Sequence, residues 1–140
     1  MEYYSTMGIL KEVTGEYLGS LEYVREIPRE FSLPIHSPDI VAILGPRRVG
    51  KTFLMLKEVK KLLESGDQAL YIPFDEPLVR RMDAREFAEL VRAEYPEGRV
   101  HLFLDEIQDW PDWGRKLRWM HEVKDFHLYV SGSSAALQSS

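Results

Sequence analysis

The run Gly45-Pro46-Arg47-Arg48-Val49-Gly50-Lys51-Thr52 has the spacing G-x-x-x-x-G-K-[ST], and each fixed position suits a polyphosphate. Gly45 and Gly50 permit backbone angles closed to residues with a Cβ, so successive N–H groups can turn inward around a β-phosphate. An anion placed there meets the positive end of the helix that follows. Lys51 adds a mobile point charge for the β- and γ-phosphates, and the Thr52 hydroxyl is placed to ligate Mg²⁺. With Phe53 closing the turn, residues 45–53 are the expected nucleotide contacts, and the expected ligands are ATP and Mg²⁺. The competing reading, a chance glycine turn, is disfavoured by its flanks: an apolar run before it and a helical pattern after it.

A second group of residues could serve the same chemistry. Val100-His101-Leu102-Phe103-Leu104 ends in Asp105-Glu106, the form of a Walker B strand with an added glutamate. Magnesium takes hard oxygen ligands and keeps several waters, which makes Asp105 the candidate metal residue beside Thr52. Glu106 is the candidate base that polarises the attacking water. Alone, the pair would read as an acidic turn. A third group, Phe126-His127-Leu128-Tyr129-Val130 followed by Ser131-Gly132-Ser133-Ser134, carries small hydroxyl residues to the same sheet edge. Ser133 is the first choice for sensing the γ-phosphate, ahead of Ser131 and Ser134.

These groups need a scaffold that brings strand ends together. Strands are expected at Ile40–Leu44, Ala69–Phe74, Val100–Leu104 and His127–Val130. Helices are expected at Thr52–Ser65, closed by Gly66, from Asp83 with Glu86 in a capping arrangement, and at Trp113–Val123. Alternation of apolar strands with helices implies an α/β fold: a three-layer parallel sheet with helices on both faces. Residues 1–36 read as a helical or extended appendage, in which Leu10, Val13, Tyr17, Leu21 and Val24 recur at helical intervals, and residues 37–140 as the core.

At this point the chain resembles the archaeal and bacterial AAA-type ATPases that carry an AAA domain followed by a lid and a separate carboxy-terminal domain. The resemblance rests on GPRRVGKT at Gly45–Thr52, LDEIQD at Leu104–Asp109 with Trp110-Pro111-Asp112-Trp113 after it, SGSSAAL at Ser131–Leu137, and VREIPREFSLP at Val24–Pro34. It implies ATP binding with Mg²⁺, Lys51 and Thr52 at the phosphates, Asp105 on the metal, Glu106 as base and a serine near Ser133 as sensor. It further implies a sheet ordered 5-1-4-3-2. Family members continue into a fifth strand, a lid and a basic segment that supplies a trans-acting arginine; this sequence stops before them, so a truncated form and slow hydrolysis are expected. The strand at Ile40–Leu44 is then expected at an edge, covered by the amino-terminal segment through Leu10, Val13, Tyr17 and Leu21 or by a second copy of the chain, with self-association favoured.

Composition narrows the remaining classes. The 140 residues suffice for one domain with its own core, and the absence of cysteine excludes a disulfide scaffold and a thiolate zinc site. No asparagine occurs beside many charged residues, a bias toward a thermophilic source. Neither a signal-peptide pattern nor an apolar stretch of about eighteen residues is present, and a cytoplasmic location is the expectation. A net charge of −5 argues against broad attraction to nucleic acid. Arg115, Lys116 and Arg118 among the tryptophans could hold single-stranded nucleic acid, but Trp113, Leu117 and Met120 fall on one helical stripe, which turns those arginines to solvent. The scattered histidines read as structural. Two function classes follow: an ATP-hydrolysing machine that couples nucleotide state to conformational change, and a nucleotide-binding switch or remnant that hydrolyses little. A small-molecule kinase is disfavoured, because it has no need of Asp105-Glu106.

Overall fold

Three strands of this chain are apolar almost without interruption, and a strand with no polar face must be covered on both sides. The computed structural model describes Leu10, Thr14 and residues 40–43, 48–123 and 125–132. In it β1 (Val41–Ile43), β2 (Gln68–Pro73), β3 (Val100–Asp105) and β4 (Phe126–Ser131) form one parallel sheet in the order β1-β4-β3-β2. All six residues of β3 and of β4 are buried. The register sets Tyr71 beside Phe103 and Phe103 beside Tyr129, so residues of like parity line each face. The order is the expected one for these strands, and the α/β class with helices on both faces is borne out. β1 has β4 as its one neighbour among the described residues. It begins at Val41, one residue later than expected, and Leu44 lies outside the described residues.

One face receives α1 (Arg48–Glu64), whose Leu54, Met55, Val59 and Leu62 pack with Ile43, Ala69, Tyr71, Phe103 and Tyr129. The helix starts at Arg48, inside the glycine-rich run and earlier than the expected Thr52. It ends in a Schellman motif: the Gly66 N–H donates to the Leu63 carbonyl at 3.1 Å and the Asp67 N–H to Leu62 at 2.9 Å, with Gly66 at φ +86°. Glycine is the residue that adopts this angle without a Cβ penalty.

The other face is covered by α2 (Pro77–Arg80), α3 (Ala84–Glu94) and α4 (Trp113–Val123). The expected capping box holds α3: the Glu86 N–H donates to Asp83 Oδ1 at 2.8 Å and the Asp83 N–H to Glu86 Oε1 at 3.0 Å. Phe87, Leu90 and Val91 point inward from it, and Leu117 and Met120 from α4, onto Leu102, Leu104, Leu128 and Val130. Arg115 and Arg118 are exposed, as the stripe predicts. The short α2 and a 3₁₀ turn at Ile107–Asp109 went unread in the sequence; Pro at the first helical position starts the former.

The 3₁₀ turn leads into the fully buried Trp110, which anchors everything after Asp105 to the helical layer. Its ring stacks on Phe74 at 4.6 Å and meets Phe87 at 5.4 Å, and its indole N–H donates to the Met82 carbonyl at 2.9 Å. The Lys116 ammonium lies 4.8 Å from the ring centre, and partial burial there lowers its pKa.

The amino-terminal segment departs from expectation. Leu10 is fully buried in the cluster that contains Leu70 and Ile72 of β2, and the Thr14 hydroxyl lies 3.0 Å from both the N–H and the carbonyl oxygen of Tyr71. The described part of the segment therefore covers the β2 edge, at the far side of the sheet from β1. The reason is chemical: the Thr14 oxygen accepts the outward-facing Tyr71 N–H of an outer strand, while its one proton is shared between the Leu10 carbonyl at 2.8 Å and the Tyr71 carbonyl at 3.0 Å. Val13, Tyr17 and Leu21 lie outside the described residues. No helix is long and apolar enough to cross a membrane among the described residues.

Trp110→Ala removes the anchor between the turn and the helices, and should cost about 3–5 kcal/mol of unfolding free energy in urea titrations. Trp110→Phe should cost less, because ring burial survives while the bond to Met82 is lost.

Candidate active site

The strand ends β3 and β4 and the beginning of α1 meet at one carboxylate. Asp105, the last residue of β3, is 3% exposed. Its Oδ2 accepts the Thr52 hydroxyl at 2.7 Å and the Tyr71 hydroxyl at 2.5 Å, and its Oδ1 accepts the Ser131 hydroxyl. Three elements thus each aim an O–H at the same buried charge, which compensates its loss of water. The expected association of Thr52 with Asp105 is present in this geometry.

Glu106 follows at φ 56° and ψ 52°, a left-handed conformation that costs a residue with a Cβ on the order of 1 kcal/mol or more. That turn lets the chain leave the strand at once. The Glu106 N–H donates to Ser131 Oγ at 3.1 Å, and its Oε1 accepts from Gln108 Nε2 at 2.7 Å. Ser131 therefore serves both acidic residues, as donor to Asp105 and acceptor from Glu106.

Lys51, in the first turn of α1, is 7% exposed and donates to the Gly132 carbonyl at 2.6 Å. Among the described residues no carboxylate pairs with it. A buried ammonium bonded to a neutral carbonyl is a site that gains from an anion. Gly50 is exposed, and a Cβ built on it would meet nothing within 4 Å. Its backbone is helical, which corrects the expectation that it needs angles closed to other residues: α1 has already begun at Arg48, and the missing side chain there gives open space rather than a special φ.

Hard oxygens from Thr52 and Asp105 at contact distance, buried at the mouth of a parallel sheet, fit Mg²⁺ by the chemistry of the donor set. The Thr52 oxygen keeps lone pairs for a cation while its O–H donates to Asp105 Oδ2.

Of the remaining expected residues, Gly45, Pro46 and Arg47 lie outside the described residues, as do the side chains of Arg48 and Val49. Phe53 is half-buried against the α1 cluster. Ser133 and Ser134 also lie outside, and among the described residues Ser131, one of the two alternatives to Ser133, is the serine at the site. Sequence reasoning missed Tyr71 and Gln108. Tyr71 sits within an apolar strand, and its only signal is a pairing register that places it one strand from Asp105. The buried histidines His101 and His127 stack at 4.9 Å on the α1 face, at the opposite ends of β3 and β4; His101 Nδ1 meets the Tyr129 hydroxyl at 3.0 Å and His127 Nε2 meets Arg99 at 2.8 Å.

A family model described as an AAA domain matches residues 37–140. No curated protein and no solved structure gives a significant match to the chain. With the match spanning most of the sequence, on a parallel sheet whose phosphate-loop helix and acidic strand end meet as described, the chain belongs to the AAA-type P-loop ATPase domain family.

Proposed function

We propose that this domain binds ATP with Mg²⁺ and hydrolyses it slowly, coupling nucleotide state to conformational change. The observation that carries this reading is the convergence of Lys51, Thr52, Asp105 and Ser131 at one end of the sheet. Lys51 neutralises the β- and γ-phosphates, and the backbone of residues 45–50 with the start of α1 cradles them. Thr52 and Asp105 would hold Mg²⁺, which when bound offsets phosphate charge. Glu106 takes the proton of the attacking water, and a serine at the end of β4, Ser133 or Ser131, orients that water or the γ-phosphate. Among the described residues β1 pairs with β4 alone, and its other edge is the proposed place for a second copy of the chain.

A second reading, a nucleotide-binding switch with little turnover, is favoured by one contact. Gln108 occupies Glu106 Oε1 at 2.7 Å, so the candidate base is held by a neighbour. The rate of phosphate release separates the two.

ATP with Mg²⁺ should stabilise the protein by about 2.7 kcal/mol at a hundredfold excess over the dissociation constant. Lys51→Ala should abolish most of that gain in thermal melting; a melting curve indifferent to ATP in both proteins would contradict the phosphate-loop assignment. Glu106→Gln keeps shape and removes basicity, and should lower phosphate release roughly 10²- to 10⁴-fold with ATP still bound. Equal release by wild type and variant would refute Glu106 as base.

A further inference from the structure

Tyr71 is gripped from two directions. Its backbone N–H and carbonyl oxygen lie 3.0 Å from the Thr14 hydroxyl, and its phenolic O–H lies 2.5 Å from Asp105 Oδ2, the oxygen that also accepts from Thr52. The ring, 1% exposed, packs in a cluster with Met55, Phe103 and Tyr129, where phenylalanine would fill the same space. The hydroxyl is therefore what distinguishes this residue, and its partner is the carboxylate assigned to the metal.

A carboxylate offers about four lone-pair directions and turns easily about its last torsion. Thr52, Tyr71 and Ser131 take up three of them, and the plane of the group is then fixed with one direction left over. Thr14 in turn fixes the strand position from which Tyr71 reaches. We propose that Tyr71 is a positioning residue for the Mg²⁺-holding carboxylate, and that Thr14 acts through it, so that seating of Thr14 on β2 sets the affinity for the metal–nucleotide complex. This rests on the Mg²⁺-ATP reading given above.

The experiment is calorimetric titration of the full chain with ATP in two arms, one with Mg²⁺ and one with EDTA. The ratio of the two affinities is the quantity read. Tyr71→Phe should lower that ratio roughly tenfold, the scale of one hydrogen bond to a charged group, while the EDTA arm stays as in wild type. Thr14→Val should lower it in the same direction, Thr14→Ser should restore it, and Thr14→Val should add nothing in the Tyr71→Phe background. An unchanged ratio in Tyr71→Phe, or equal weakening of both arms, would overturn the positioning role. Multiplying effects in the double variant would overturn the link through Tyr71. Wild-type protein that binds no ATP in either arm would overturn the nucleotide reading itself and this proposal with it, a failure visible before any variant is compared.

Discussion

A buried carboxylate is expensive, and the placement of Asp105 at the end of a fully buried strand obliges the surrounding fold to supply donors. Three arrive as hydroxyls, from α1, β2 and β4. Each must come from a different element at a fixed register, so the requirement constrains where α1 starts and how β2, β3 and β4 align. Lys51 and Thr52 are adjacent on α1; once Thr52 is fixed on Asp105, the ammonium of Lys51 falls beside the end of β4. The same register places Ser131 against Glu106.

The opposite face serves this arrangement at a distance. The chain must leave the sheet immediately after Asp105 without disturbing it. The left-handed turn at Glu106, the 3₁₀ turn and the burial of Trp110 between Phe74 and Phe87 accomplish this within a few residues. Phe74 follows β2 directly, so the aromatic cluster also ties the ends of β2 and β3 together, a link reinforced by the Phe74 N–H donating to the Asp105 carbonyl at 2.9 Å.

Much of this was legible in the sequence because it is governed by local rules. Apolar runs marked the strands, the Asp83–Glu86 box fixed the start of α3, and the spacing of Trp113, Leu117 and Met120 gave the buried stripe of α4. The glycine-lysine-threonine spacing and the Asp105-Glu106 pair identified the centre of the site. What escaped was set by tertiary pairing. Tyr71 looks like any strand aromatic until β2 is laid beside β3, and Gln108 becomes meaningful only when the turn folds it back on Glu106. Among the serines, Ser131 at the end of β4 meets both acidic residues, and Ser133 and Ser134 lie outside the described residues. Hydrophobic periodicity states that a segment must be covered and not where: the two described residues of the amino-terminal segment, Leu10 and Thr14, lie with β2, where the Thr14 oxygen accepts the Tyr71 N–H.

The left-handed conformation of Glu106 sets conformational economy against chemistry at a single position. Glycine there would relax the backbone and remove the carboxylate in one step. The fold alone would be served better by glycine at this position, so the carboxylate there is accounted for by the chemistry proposed for the site and not by the fold.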